Sequence, residues 1–477
     1  MNTEKQLSDT NRKTWSVGSL VYTLPGLITL FVCLLGGEFA WAMKDRAIGN
    51  AATLRFQTYT KDPFIYSLLI LSFPSFTNIF LMPIVSYLSD RHRGRWGRRI
   101  PYLAFTTPFI VVGAWGLGFS PYLGQWLFDL MKDVGWFNGL CVSLFGSAFT
   151  YTKACVIAFA VFWASLDFGA TLAGALSGAL INDVVPKSLL GRFFGFNRAL
   201  SLLAGILFNY FLMGKVEAHF LAIFLGIGAV YGAGLTLLCT KVKEGTYPDP
   251  PPAPSYGSAA GRVFGPILTY FRQCFPKPFY VLVIAAIVLC GFSATPYNMY
   301  GLPFAKSPAI DMDMDDYGKV HATCYLISFC LSFLLGVVAD KFHPVRASVV
   351  ALLVYLASMV FGWFYVKDAA TFKVVLYLHI VLSGCYFTIS ASLSQRLFPR
   401  SLFAQFHSAS AMVSSAAFVG LATFCGWLLK RLDGDYRFVY LFGAVTTLLG
   451  AAGLIAIWIA TRKYGGLDNY QAPDPGA

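Results

Sequence analysis

The stretch "SDRHRGRWGRRIP" (Ser89–Pro101) sets five arginines and one aspartate between two long apolar runs. A helix needs about 20 apolar residues to cross a bilayer's hydrocarbon core, and Lys and Arg collect in the short loops on the cytoplasmic face. The arginine turn therefore reads as a cytoplasmic loop between two membrane spans. The same alternation runs outward from it in both directions. The chain has 477 residues, of which 57% are hydrophobic and only 12% charged, with mean hydropathy +0.62; soluble domains carry about 25% charged residues.

Twelve apolar runs are long enough to span, near 20–42, 65–88, 101–122, 155–181, 194–214, 218–240, 279–302, 318–339, 347–366, 373–394, 408–429 and 437–461. Placing the N-terminus in the cytoplasm puts most of the 36 Lys and Arg on that side, with both termini cytoplasmic. The net charge of +13 is spread over these loops and faces anionic lipid, so no nucleic-acid partner is expected. The ten cysteines lack paired spacing and read as small core residues. The first run is too long for the core of a cleaved signal and should persist as a helix.

The halves repeat. "VVPKSLLGRF" (184–193) returns as "LFPRSLFAQF" (397–406), matching Pro186 with Pro399, Lys187 with Arg400 and Ser188 with Ser401. "VSYLSDR" (85–91) is echoed by "LGVVADK" (335–341), setting Asp90 against Asp340 and Arg91 against Lys341. The expected architecture is an all-α membrane protein, with twelve transmembrane helices in two six-helix pseudo-symmetric bundles. Residues 1–240 form the first bundle, with an external helical loop at 124–153. A proline-rich cytoplasmic linker follows at 241–277, and residues 278–477 form the second bundle. Parallel repeats around a midplane site are typical of secondary transporters.

The arginine turn and its reduced echo resemble the loops of the major facilitator superfamily, with Ser86 where that pattern has glycine. "PIVSYLSDRHRGRWGRRIP" (83–101) is more specifically similar to the glycoside–pentoside–hexuronide:cation symporters, whose second helix ends in a proline followed by R-W-G-[KR]-x-x-P. Melibiose-permease-like members hold sodium with two carboxylates on that helix; here those positions are Asn78 and Met82. A methionine offers no hard oxygen ligand, so sodium coupling of that type is not expected. "RALSLLAG" (198–205) resembles the family's R-x-x-x-S-L-A-G, which implies a sugar-binding role for Arg198, and Asp167 is the candidate for the family's sugar-binding carboxylate.

A charge near the bilayer centre is costly enough to be a functional hypothesis. Glu38 and Asp167 are the carboxylates that fall inside the twelve runs, Glu38 about a turn from the outer end. Both are candidates for substrate binding and proton coupling; a direct Asp167–Arg198 bridge is not expected from their depths. "SATPYNMYGLPF" (293–304) should be broken by Pro296, Gly301 and Pro303, presenting Tyr297, Asn298 and Tyr300 to a hydroxyl-rich ring. Trp41, Trp163 and Asn78 complete the binding candidates, while His379 reads as a packing residue rather than a proton carrier. A cytoplasmic latch is expected from Asp90, Arg91, Arg95, Arg98, Arg99, Asp183, Asp340 and Lys341, with Asp90 against the helix start near Phe406–Ser408.

These features imply alternating-access transport of a sugar or glycoside, coupled to protons, by a monomer in a bacterial inner membrane. Movement of a lysolipid or other amphiphile, and a transport-dead sensor, are the alternatives. No metal spacing, phosphate loop or nucleophile motif appears, so neither an enzyme nor a cofactor or metal is expected.

Overall fold

The computed structural model describes residues 14–186, 189–247, 275, 277–399 and 403–473. Lys187, Ser188, Arg400, Ser401 and most of the linker lie outside this set, as do the side chains of Pro83, Ser86, Asp90, Asp340 and Ser408. The described chain is almost wholly helical. A small antiparallel hairpin, β1 (Trp15–Val17) and β2 (Leu20–Tyr22), precedes the first long helix, α1 (Leu24–Tyr59).

The spans continue as α2 (Phe73–Arg91), α3 (Ile100–Met131), α4 (Tyr151–Val184), α5 (Leu190–Leu207) and α6 (Phe220–Lys241). The second series comprises α7, in two pieces (Pro278–Gly291 and Thr295–Ala305), α8 (Met314–Phe342) and α9 (Pro344–Tyr365). It ends with α10 (Ala369–Ser390), α11 (Phe403–Arg431) and α12 (Phe438–Thr461). Among the described residues, eleven helical segments are long and apolar enough to cross a membrane. The twelfth is α8, whose first turns carry Asp315, Asp316 and Lys319.

Three expectations need correction. The first apolar run was expected to end near Ala42, but α1 continues for 36 residues, about 54 Å at 1.5 Å per residue. Lys44, Asp45 and Arg46 contain no breaker, and Ala47, Ile48, Ala51, Ala52 and Phe56 beyond them are buried, so the helix persists. Glu38 consequently lies well inside α1 rather than near its end. Second, α7 breaks before Pro296, at Phe292–Ala294; Pro296 opens the second piece and Pro303 stays within it. Third, residues 124–153 are only partly a loop. Helix α3 runs on to Met131, and a separate helix, Gly135–Phe145, packs Cys141 and Phe137 against Phe128 and Phe149.

The chain forms two compact units. The first is Met1–Gly49, Phe80–Gly205 and Phe220–Ala253; the second is Asn50–Ile79, Ile206–His219 and Pro254–Ala477. The first unit's core gathers Leu34, Leu103, Ile110, Leu176, Leu180 and Tyr231. The second unit's core gathers Tyr280, Val283, Ile284, Leu352, Phe406 and Leu454. The end of α1 and the start of α2, within Asn50–Ile79, and the end of α5, within Ile206–His219, thus belong to the second unit. Two of them contain a π-helical turn, Ser67–Ser72 ahead of α2 and Phe208–Leu212 after α5; such turns recur at functional sites.

Candidate functional site

In the first unit, α1 and α4 bring ionisable groups into the apolar interior. Asp167 on α4 is 7% exposed and Lys44 on α1 is 6% exposed. Asp167 lies near enough to act electrostatically on Lys44, together with Asp45, whose Oδ1 is 3.9 Å from the Lys44 ammonium. That ammonium also sits 4.0 Å from the centroid of the Trp41 ring, a cation–π geometry. Lys44 was absent from the sequence-based candidates because the apolar run stops short of it.

Glu38 is part of a second polar group one to two turns earlier on α1. Its carboxylate accepts hydrogen bonds from Ser177 Oγ at 2.5 Å and from Asn197 Nδ2 at 3.0 Å. A small cavity beside it is lined by Gly37, Trp41, Leu103, Ala173 and Ser177. The expected residues Glu38, Trp41 and Asp167 therefore share α1 and α4 with Lys44 and Ser177, and Asn197 reaches Glu38 from α5. Arg198, one residue beyond Asn197 on α5, is exposed. Trp163 is buried and stacked on Phe159.

The arginine turn folds back onto the same unit. Arg98 makes a two-point bond to Asp183 at 3.0 and 2.6 Å, and Arg99 approaches the same carboxylate at 3.4 Å. Arg99 Nη1 donates to Ser89 Oγ at 2.7 Å, and Ser89 Oγ donates to the Arg98 carbonyl at 3.1 Å. Glu244, which follows α6, carries no signal in its local sequence. Its carboxylate accepts the backbone N–H groups of Arg98, Arg99 and Ile100 at 3.0, 2.7 and 2.8 Å, capping the start of α3.

Tyr247 donates its hydroxyl to Glu244 at 2.9 Å and lies under the Arg98 guanidinium at 4.0 Å. Burial, then the neighbouring Glu244 charge, push the Tyr247 phenol pKa up. Gly97 makes this junction possible: its φ is +97°, and a Cβ there would come within 2.6 Å of Glu244. Of the expected latch, Arg98, Arg99 and Asp183 come together. Arg95 lines a groove with Trp96 and Lys243, and Lys341 lines a separate one with His343 and Arg396 in the second unit.

The second unit is tied across its helices by short polar contacts. Tyr66 donates to the Met299 carbonyl at 3.0 Å; Ser67 Oγ lies 2.5 Å from Tyr300 Oη. Tyr300 also donates to the Ala422 carbonyl at 3.2 Å, and Ser72 pairs with Thr423 at 3.1 Å. Lys430 bonds Asp62 at 2.5 Å, and Lys306 pairs with Glu217 at 2.9 Å. Asp62 also accepts the N–H groups of Phe64 and Ile65. Burial acts to raise its pKa, but the Lys430 bond and these backbone donors outweigh it and hold the carboxyl below its ordinary value.

Tyr300, an expected ligand residue, is thus engaged in these contacts. Tyr297 is buried with its ring 4.0 Å from that of His379. Asn298 is exposed, and Asn78 is half-buried on α2.

The architecture is the major facilitator fold, an integral membrane fold of twelve helices in two pseudo-symmetric six-helix bundles. Solved structures share it across nearly the full chain. A bacterial homologue of the human lysosomal transporter Spinster, inward-facing and unoccupied, aligns with TM-score 0.60 and 14% identity, over 95% of this chain and 100% of that one. A D-xylose–proton symporter aligns with TM-score 0.57 and 16% identity, over 90% and 96%. The peptide transporter POT in complex with sulfate aligns with TM-score 0.62 and 15% identity, over 94% and 97%.

In sequence, a general alpha-glucoside permease of Schizosaccharomyces pombe is 25% identical over 262 residues, 53% of this chain. The match spans 43% of that permease, less than half its length. No family model matches the chain.

Proposed function

We propose that the protein is a secondary transporter that carries a sugar or glycoside by alternating access, in symport with protons. The observation that carries this is the burial of both Asp167 and Lys44, close enough to act on one another electrostatically, with the Lys44 ammonium over the Trp41 ring. Burying two opposite charges is costly, and removing either leaves its partner uncompensated. Protonation of Asp167 and occupancy of its hydrogen-bonding capacity by a solute hydroxyl are therefore energetically linked, as symport requires. Trp41 supplies an aromatic face for a pyranose ring, and Glu38 with Ser177 and Asn197 supplies further polar groups.

The partial sequence match to an alpha-glucoside permease supports a sugar as the solute. Met82 and Asn78, in place of carboxylates, favour the proton over sodium. The excess of basic residues on one side supports a cytoplasmic location for the arginine turn and both termini, in a bacterial inner membrane.

Thermal-shift measurements on purified protein test the substrate class. Maltose, methyl α-glucoside, xylose and a lysophospholipid would each be titrated at pH 5.5 and 7.5, with and without sodium. A ligand at 100 times its Kd stabilises by about 2.7 kcal/mol. Stabilisation by a sugar that depends on pH and not on sodium is expected; stabilisation by the lysolipid alone would replace the sugar with an amphiphile.

A further inference from the structure

We propose that Tyr355 and His379 fix the Asn298 side chain as a donor-only recognition group, whose amide N–H bonds hold an oxygen of the transported solute. This rests on the sugar-transport function proposed above and names a subsite for it in the second unit.

The argument starts from burial. In the second piece of α7, Pro296, Tyr297, Met299, Tyr300, Gly301 and Leu302 are all buried, yet Asn298 among them is exposed. A lipid-facing helix exposes a stripe that repeats at three- and four-residue spacing. Gly301 and Leu302, which would continue such a stripe, are covered. The Asn298 amide therefore opens to a space within the protein, not to lipid.

Behind Asn298 stands a buried hydrogen-bonded chain. Tyr355 Oη lies 2.7 Å from His379 Nδ1, and His379 Nε2 lies 3.0 Å from Asn298 Oδ1. Tyr355 and His379 are 1% and 3% exposed. A buried hydroxyl hydrogen needs an acceptor, and His379 Nδ1 is the one beside the Tyr355 hydroxyl. Nδ1 must then be unprotonated, which places the single imidazole proton on Nε2.

The Nε2–H in turn needs an acceptor, so the Asn298 carbonyl oxygen is the atom that faces His379. The Asn298 NH2 group is thereby turned away from the ring, toward the exposed side. The Tyr297 ring, packed 4.0 Å from the imidazole, restrains it from rotating. Each link sets the direction of the next, and the end product is two N–H donors with no acceptor beside them. Such a group suits a hydroxyl or ring oxygen and repels a cation. Asn298 touches the solute; His379 and Tyr355 are positioning residues. The sequence treated His379 as packing because nothing in it pairs positions 298, 355 and 379.

Two measurements decide the inference. In the first, full-length protein labelled with [15N]histidine is studied by NMR at pH 7, the His379 resonances being identified by their loss in His379→Gln. Wild type should show a neutral ring protonated on Nε2, and Tyr355→Phe should shift the Nδ1 resonance. A ring protonated on Nδ1, or on both nitrogens, would overturn the proposal.

The second is uptake of [14C]maltose by proteoliposomes. Asn298→Asp, which keeps the shape but removes the N–H donors, and His379→Asn, which cannot donate from the Nε2 position, should each raise KM about tenfold, the worth of one good hydrogen bond. Vmax should stay near wild type. His379→Gln, whose amide nitrogen falls near the Nε2 position, should restore KM. A His379→Asn protein with wild-type KM would also refute the assignment. Should wild type take up no maltose, the sugar assignment fails, and the tautomer measurement still decides the relay.

Discussion

Gly426 offers the sharpest perturbation of the polar contacts that tie Ser67 to Tyr300 in the second unit. A Cβ at this position would fall 2.6 Å from Ser67 Cβ and 2.9 Å from the Pro63 carbonyl oxygen, and inside contact distance of Ser67 Oγ. Helix α11 and the first turn ahead of α2 approach this closely only because residue 426 has no side chain, the usual device for tight helix packing in membranes. Gly426→Ala therefore forces the two segments apart. Overpacking a tight contact costs about 1–3 kcal/mol. The separation also weakens the Ser67–Tyr300 bond, about 0.5–1.5 kcal/mol.

Together the packed arrangement should lose about 2–4 kcal/mol, a shift in its population of roughly 30- to 1,000-fold. Ser72, buried and bonded to Thr423, is a suitable reporter when changed to cysteine in an otherwise cysteine-free protein. Labelling of Ser72→Cys by a membrane-impermeant maleimide should accelerate at least about tenfold in the Gly426→Ala background. A folded Gly426→Ala protein with an unchanged labelling rate would show that this contact does not keep Ser72 covered.

Two further outcomes follow from the polar contacts. Glu244→Ala removes the acceptor for three N–H groups at the start of α3; a lost cap of this kind costs about 2 kcal/mol, and the apparent Tm in detergent should fall by about 2 °C, while Glu244→Gln should recover only part of it. Asp62 has a folded pKa below its ordinary value of 3.8, so its contribution is present above 3.8 and disappears as pH falls through the folded value. Ser72→Cys labelling should rise over that acid window, and Asp62→Asn should flatten the rise.

Much of the fold was legible because lipid imposes a simple rule: apolar runs of sufficient length become helices. The arginine turn and the twelve runs were visible on that basis; α7 was expected to break, but at Pro296, Gly301 and Pro303 rather than just ahead of Pro296. The end of α1 was not. Hydropathy stops at Ala42, whereas the helix stops where its hydrogen bonding stops, at Tyr59. That difference hid Lys44, a buried charge that feels the field of Asp167.

The candidate site was legible residue by residue but not as a set of contacts. Glu38 and Asp167 stood out as charges among apolar neighbours, and Asp183 as a mate for the arginines. Glu244 and Arg98 are 146 positions apart, and Tyr355, His379 and Asn298 come from three helices. Such pairings are products of packing, and no local periodicity reports them. Tyr300 shows the converse: its chemistry suits a sugar, yet its hydroxyl is engaged by Ser67 and Ala422.

Proton-driven uptake tests the central claim most directly. Proteoliposomes with an imposed inward pH gradient would be supplied with [14C]maltose, comparing wild type with Asp167→Asn. Accumulation by wild type above the external concentration, abolished by collapsing the gradient and absent in Asp167→Asn, is the expected result. Gradient-driven accumulation by Asp167→Asn equal to that of wild type would contradict it.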